Sequence, residues 1–534
     1  MFFECDERIL VIDCGLMFPT EDMPGVDLVL PDLRYLEDRA ACIDGVLLTH
    51  GHEDHIGAVP YLLNTVSADV YGTALCLGIL KRKLEEAGVL GHANLIEVDD
   101  GGTVEIGPFR VQAIPVTHST PQSLGLAIDT PQGRVVHTGD FKLDPTPVDG
   151  RITDLSTFGA LGKEGVRLLL SDSTNSEHAQ PTRSETEVGD WLADIFARQA
   201  ERRIIAACFA SHLHRVQQIV DVATDDGRSI AFLGRSMHSN TELASKMGVL
   251  DLSAADIVDI TEIADLDPES ACVICTGSQG EPFAALSLMA GGDNKFIDVG
   301  EDDAVIISST PIPGNEAKIH RSINGLARAG AEVIHSEVAQ VHASGHASAT
   351  ELKVMLTLVR PENFLPVHGE YRHLAAHARI ARSVGLDADS VFVAEDGDVI
   401  ELMDDGIEFA DTQVESGYLY VDGAGIGDIT KAVLRHRRGL ADDGVLVCVV
   451  GVDSHTGDVV RGPEIFSRGF VTTDEHEKFA NEAAERVVAS IEDAAADNHL
   501  DLTTLNRHVR EALGGIARRK TGRSPFVFPI VIEV

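Results

Sequence analysis

The residues best able to do chemistry lie in Thr49 to Ala58, THGHEDHIGA, where His50, His52, Asp54 and His55 stand in an H-x-H-x-D-H spacing. Imidazoles two apart at the end of a strand can converge on one ion, and an Asp-His pair entering the following helix points at an adjacent position. The pattern suits two metal ions side by side. Asp13, His118 (in VTHS), Asp140 (in HTGD) and His368 (in PVHGE) each follow a short apolar run and complete such a site if the fold gathers them. A single histidine after a strand is commonly a packed or surface residue, so the inference rests on all of them together.

The elements that must position these residues are legible as apolar runs. Arg8 to Asp13, Gly45 to Thr49, Val104 to Val116, Arg134 to Thr138 and Val166 to Leu170 read as strands, the last two ending at Gly139-Asp140 and Ser171-Asp172. Repeated strand ends carrying His or Asp predict a layered α/β body with ligands along one edge of its sheets. From about Glu185 to Leu352 a second α/β unit is expected, with strands at Ile204 to Ala207, Ile230 to Leu233, Ala271 to Cys275, Ala304 to Ser308 and Glu332 to His335. After Phe364 the chain returns to a strand ending at His368, and a further strand-like run, Ser390 to Ala394, follows. The Gly-rich Asp422 to Gly427 and the cluster Arg435, Arg437 and Arg438 mark a boundary. Beyond it come a strand at Gly444 to Gly451, a helix at Glu477 to Ala494 and a final apolar strand preceded by Arg518, Arg519, Lys520 and Arg523, which predict a small C-terminal α/β domain.

A chain of 534 residues is too long for one core, since about 150 residues per domain gives roughly three or four units. Hydrophobic residues at 44% and charged residues at 24% are the balance of a soluble globular protein. No apolar run approaches the roughly eighteen residues of a spanning helix, and the short acidic start Met1 to Asp6 is unlike a signal peptide. A cytoplasmic protein with no membrane partner is expected. Asp plus Glu number 85 against 43 Lys plus Arg, a net charge of −42. Such a charge repels nucleic acid at long range, so an RNA or DNA partner requires a local basic groove or bound cations. The 8 cysteines make no disulfide framework, and Cys272 and Cys275, within an apolar run, read as buried thiols.

Beyond HGHEDHIG and VTHS, the stretches HTGDFKLDPTPVDG, SDSTNSE, FASHLHRVQQ, CTGSQGEP, SSTPIPGN, HASGHAS, PVHGEYRHL and the closing FPIVIEV resemble the ribonuclease J family. That family lies in the β-CASP branch of the metallo-β-lactamase superfamily, and the resemblance extends over essentially the whole chain. It implies an α/β fold: a metallo-β-lactamase αββα sandwich over 1–186 and 354–426, an inserted β-CASP α/β domain over 187–353, a linker over 427–440 and a small C-terminal α/β domain over 441–534. It also implies two Zn2+ per subunit, His50, His52 and His118 holding one, Asp54, His55 and His368 the other, with Asp140 bridging and Asp13 behind them steering a histidine. Two ions about 3.5 to 4 Å apart lower the pKa of a shared water and stabilise the attacking and leaving oxygens of a phosphodiester displacement.

By the same resemblance Asp172 is the proton-transferring acid and His346 the base. Ser211, with His342, Ala343, Ser344, Gly345 and His346 across the cleft, would bind an RNA 5′-monophosphate. Gly25, Asp27 and Asp422 would give hard oxygen ligands to a structural divalent ion such as Ca2+. Arg215 and Arg372, with the zinc ions, would make the cleft locally positive. The implied function is a zinc-dependent ribonuclease acting on single-stranded, preferably 5′-monophosphorylated RNA, a 5′ to 3′ exonuclease with endonuclease activity in rRNA processing and mRNA decay. The implied assembly is a homodimer or homotetramer with RNA-decay partners. The alternatives are a β-CASP nuclease acting on DNA, or a protein serving mainly as a scaffold in an RNA-decay complex. One departure stands out: relatives begin with a Gly-rich strand and turn before the segment equivalent to Glu4 to Asp13, so either the start is misassigned or an edge strand is missing.

Overall fold

The computed structural model describes residues 1–534 except 21, 282, 313, 424, 472, 498 and 499, and except the side chains of 473–476. Pro282 and Pro313, in the stretches CTGSQGEP and SSTPIPGN, therefore lie outside the described residues.

The short apolar runs near the start form two sheets. The first has five strands in the order Phe2–Cys5, Arg8–Ile12, Ile43–Leu47, Ala68–Gly72 and Ala93–Glu97, the outermost pair antiparallel and the rest parallel. The second has six, in the order Asn363–Val367, Leu168–Asp172, Gly133–His137, Leu124–Thr130, Phe109–Pro115 and Thr103–Ile106. Alternate side chains meet between them, Leu10, Ile12 and Leu47 from one sheet packing with Val111, Leu126, Ile128, Val135 and Leu170 from the other. Each such fully buried aliphatic side chain contributes about 1.5 to 3 kcal/mol. On the outer face of the second sheet, Phe158, Leu352, Met355, Ala378 and Ala381 pack from the helices Leu155–Glu164, Ala349–Val359 and Tyr371–Ser383.

Two neighbouring strands of the second sheet come from distant parts of the sequence. Leu168–Asp172 and Asn363–Val367 run parallel with Asp172 opposite Val367, so Asp172 and His368 leave the sheet at the same end. Between them the chain builds a separate five-stranded parallel sheet in the order Ser229–Leu233, Ala271–Cys275, Arg203–Ala207, Asp303–Ile307 and Glu332–His335. Near-continuous apolar strands are what a parallel sheet covered on both faces requires, and Cys272 and Cys275 are fully buried there. All its strands point one way, so Ser211 and the residues following Cys275 and Ile307 share one edge.

Met1–Met17 and Leu30–Tyr418 form one compact unit, and Phe18–Val29 with Leu419–Val534 form a second. The second has a three-stranded sheet, Val459–Arg468, Val445–Val452 and Phe526–Glu533, with Leu446, Cys448 and Val450 packed on Ala483, Val487, Leu505 and Leu513 of the helices Thr473–Ala496 and Leu502–Thr521.

The structure corrects three expectations. Residues 427–440 are not a linker, because the helix Lys431–Asp443 begins within them, capped where the Thr430 side chain accepts from the Val433 N–H. The arginines there are its polar face, and Leu434 packs with Val26, Val29, Tyr420 and Ile429. Phe18–Val29, expected in the first domain, contributes to that same small core. Ser390 to Ala394 is not a strand, since only Val391 bridges to Phe364. The structure also has an edge strand, Phe2–Cys5, on the first sheet.

Candidate metal centre

The turn after Ile43–Leu47 runs straight into the short helix Glu53–Ile56, with His52 at its N-cap, so one bend delivers His50, His52, Asp54 and His55. His50 Nε2 lies 3.0 Å from His52 Nδ1, which lies 3.2 Å from His118 Nε2. Asp54, His55 and His368 form a second group whose ligand atoms fall within 4.8 Å of one another. Asp140 Oδ2 stands between the groups, 3.7 Å from His50 Nε2 and 3.9 Å from His118 Nε2 on one side, 3.2 Å from His55 Nε2 and 3.4 Å from His368 Nε2 on the other. His55 Nε2 is buried, and Asp140 Oδ2 at 3.2 Å is not aligned to satisfy it by a hydrogen bond. An orphaned polar atom is costly in an interior, and a cation satisfies it.

Burial and the neighbouring imidazoles push His50 and His118 well below the ordinary histidine value, and burial takes His52 to about 4. These rings are neutral, the form that ligates metals. Burial opposes a charge on Asp140, but His368 and His55 outweigh it and hold the carboxyl well below its usual range. Histidine nitrogens around ionised carboxylates are a donor set that zinc accepts.

The backbone and a surrounding layer of hydrogen bonds hold this arrangement. Asp13 and His368 adopt left-handed conformations, φ 55° and 58°, strain of order 1 to 3 kcal/mol each. Gly139, at φ +60°, leaves no room for a side chain because a Cβ would lie 2.2 Å from the Leu124 carbonyl oxygen. Asp13 accepts from the Thr49 N–H and hydroxyl, each at 2.8 Å, and lies 2.8 Å from His55 Nδ1, which turns His55 Nε2 towards Asp140. His118 Nδ1 is 2.7 Å from the Gly345 carbonyl oxygen, and a Cβ on Gly345 would approach the His118 ring to 2.7 Å.

Beside the centre, His346 Nδ1 lies 2.8 Å from Asp172 Oδ2. Burial opposes a charge on His346, but Asp172 outweighs it and raises the ring to about 9, while the Asp172 carboxyl is lowered against its own burial. Both shifts run in the direction that favours the proton on the imidazole over the carboxylate. Asp172 also falls within 4.8 Å of the ligand atoms of Asp140, His346 and His368.

Comparison with known proteins agrees along the chain. Residues 8–157 match the family "Beta-lactamase superfamily domain", 201–326 "Ribonuclease J, beta-CASP domain", 331–391 "Zn-dependent metallo-hydrolase RNA specificity domain" and 432–534 "Ribonuclease J C-terminal domain". The chain is 39% identical over 531 residues to Ribonuclease J2 of Bacillus subtilis (strain 168), covering 99% of this chain and 95% of that one. This chain belongs to the ribonuclease J family. It is 41% identical over 533 residues to Ribonuclease J of Mycolicibacterium smegmatis (strain ATCC 700084 / mc(2)155), covering 100% and 94%. A crystal structure of a protein of unknown function from Enterococcus faecalis V583 shares the fold at 14% identity, with a TM-score of 0.50 over 74% of this chain and 93% of that one.

In this ribonuclease J chain, Ala343 and Gly345 are buried, and Asn175 Nδ2 donates to Ser344 Oγ at 2.7 Å and to the His346 carbonyl at 3.0 Å. The His342 ring stands 6.4 Å from that of His212, the neighbour of Ser211. His342 Nδ1 is buried without a hydrogen-bond partner among the described residues, whereas His212 Nε2 faces Glu185 Oε1 at 3.5 Å. Burial lowers His342 to about 3 and His212 to about 4, leaving both neutral.

Arg215 does not line the cleft. It is fully buried, its guanidinium donating to Glu185, to Ser308 and, at 2.6 Å, to the Val341 carbonyl, with Nε on Gln218 at 2.9 Å. The sequence signal was its position on the buried face of an amphipathic helix with Leu213, Val216 and Ile219. Arg372 is exposed but pairs with Glu177 and Glu370. The oxygens of Gly25 and Asp422, expected to face a divalent ion, face Arg437, whose Nη1 donates to the Gly25 carbonyl at 3.1 Å and Nη2 to Asp422 at 2.6 Å. Asp27 accepts the Gly423 N–H at 2.8 Å.

Proposed function

We propose that the chain is a two-zinc ribonuclease that degrades single-stranded RNA 5′ to 3′ from a monophosphorylated end and also cuts internally, in RNA maturation and decay. The observation that carries this reading is Asp140 Oδ2 within 3.2 to 3.9 Å of histidine nitrogens from both ligand groups. His50, His52 and His118 would hold one ion, Asp54, His55 and His368 the other, with Asp140 shared and Asp13 fixing His55. Such ions activate water and stabilise charge on phosphoryl oxygens. The chain's own groups orient the reaction and move the proton. Asp172 fixes the His346 ring, and His346, carrying the proton, is the donor to the departing 3′-oxygen. The products are a 5′-phosphate and a 3′-hydroxyl.

Ser211 and the His342 to His346 segment would seat the terminal phosphate, and the unpartnered imidazole nitrogen of His342 supports this. An end-binding pocket fixes which bond meets the metals, whereas internal cleavage needs only the groove and the metals. Replacing Ser211 and Ser344 by leucine is expected to depress stepwise degradation of 5′-monophosphorylated RNA much more than internal cutting of 5′-blocked RNA, assayed at one salt concentration. Equal loss of both would assign the segment to general binding or folding. Matched RNA and DNA oligonucleotides in the same assay decide between the two nucleic acids.

A further inference from the structure

On the metal-bearing unit, two cations that make no ion pair among the described residues stand beside one cavity. The helix Tyr371–Ser383 starts just after His368, and its residues Ala376, Arg379, Ile380 and Ser383 line a cavity of about 430 Å³ together with Ser176, Glu177 and Lys353. Ala376 and Ile380 give it an apolar floor, the Ser176 and Ser383 hydroxyls donate to the His373 and Ile380 carbonyls, and Lys353 and Arg379 supply its positive charge. Its one carboxylate, Glu177, is taken by Arg372, with His373 Nε2 3.8 Å away. Lys353 and Arg379 have no ion-pair partner among the described residues. In a chain of net charge −42, two cations without an ion-pair partner beside one cavity form a local field that favours an anion.

The placement says which anion. Ser176 and Glu177 end the loop that begins at Asp172, and Asn175 in that loop holds Ser344 and the His346 carbonyl. The cavity and the metal centre are thus joined twice, along this loop and along the helix that follows His368. At about 1.5 Å per residue, Arg379 lies roughly 12 Å along the helix from Tyr371. Tyr371 is 57% exposed at the start of that path, and exposed aromatic rings beside cations are the usual platform for single-stranded nucleic acid.

We propose that Lys353 and Arg379 bind a backbone phosphodiester of the RNA chain away from the scissile bond, with Tyr371 offering a stacking surface between that phosphate and the metals. The proposal rests on the reading of the chain as a ribonuclease. It concerns how much of the RNA is gripped, and it leaves the chemistry at the metals unchanged.

The test uses the zinc-loaded full chain with a 5′-monophosphorylated RNA 12-mer and a trinucleotide, and compares Lys353→Met/Arg379→Gln with wild type. Each cation that neutralises a phosphate of a single strand steepens the fall of log affinity with log salt by about 0.7, so the slope of the double variant should be shallower by about 1.4. KM for the 12-mer should rise about tenfold at low salt, with kcat, zinc content and the trinucleotide KM held, and Lys353→Arg/Arg379→Lys should restore the 12-mer. An unchanged KM and slope would overturn the proposal. So would an equal effect from Arg328→Gln on the helix Glu316–Ala329, which would mean long-range charge alone. Titration with cytidine 5′-monophosphate separates the other source of phosphate: loss of its binding with the 12-mer KM intact would give the site to free nucleotides and overturn the RNA assignment. A wild-type chain that neither binds nor cleaves RNA would instead defeat the functional reading, and this proposal with it.

Discussion

Asp140 and Asp172 meet the same cluster of imidazoles but in different ways. Asp140 faces histidines of both ligand groups, whereas Asp172 makes one close contact with His346 and otherwise accepts from Thr174, at 3.0 Å from its N–H and 2.8 Å from its hydroxyl. If Asp172 only orients His346, Asp172→Asn should keep near-normal zinc while losing a factor of about 10² to 10⁴ in rate. Loss of zinc from that variant, by elemental analysis, would make Asp172 a ligand. At this scale the H-x-H-x-D-H turn was legible because its residues are neighbours in the chain. The Gly345 carbonyl that orients His118 was not, because the two are 227 residues apart and nothing local marks a carbonyl as a partner.

Among the elements, strands ending in His or Asp were readable from apolar runs, and the parallel pairing of Leu168–Asp172 with Asn363–Val367 explains why they share an edge. The helix Lys431–Asp443 was obscured by its composition. Its arginines and the preceding glycines read as a boundary, yet Arg437 reaches back to Gly25 and Asp422. A guanidinium on those oxygens should make the small unit indifferent to calcium. The half-exposed Arg437–Asp422 pair is worth about 1 kcal/mol at most, so Arg437→Met should be only slightly less stable. That variant should gain a rise in melting temperature with millimolar Ca2+, zinc being kept constant, which wild type lacks. A calcium-dependent rise in wild type would show that the oxygens exchange arginine for an ion.

Over the whole molecule, the sequence conceals the joint between the inserted domain and the body that carries the metal ligands, because it is built from charged residues. Lys142, two residues after Asp140, is fully buried with Nζ 3.1 Å from Asp144 and 3.3 Å from Glu185, and Glu185 also holds Arg215. Lys, Glu and Arg read as surface unless partners far away in sequence are known. Removing one member strands the others, so Glu185→Gln should cost about 3 to 5 kcal/mol in denaturant unfolding at pH 7. Burial opposes the charge on Glu185, but the Arg215 guanidinium and the Lys142 ammonium outweigh it and keep the carboxyl well below the ordinary 4.5. A depressed carboxyl stabilises fully above its unfolded value and loses that contribution as pH falls through its folded one. The gap between wild type and Glu185→Gln should therefore be constant from pH 7 down to the ordinary value and narrow below it. A gap that widens on acidification would contradict the assignment.

The ordering of the six-stranded sheet sets a timetable. Its edge strand Asn363–Val367 is made after the inserted domain, and it must dock beside Leu168–Asp172 before His368 can join Asp54 and His55. A ribosome-bound chain that has not yet emerged past His368 holds the whole His50, His52 and His118 group but lacks one residue of the other. By the assignment proposed above, the enzyme cannot arm itself during most of its own translation, and the message being read is safe from the chain it encodes until the inserted domain has been made and the edge strand has closed.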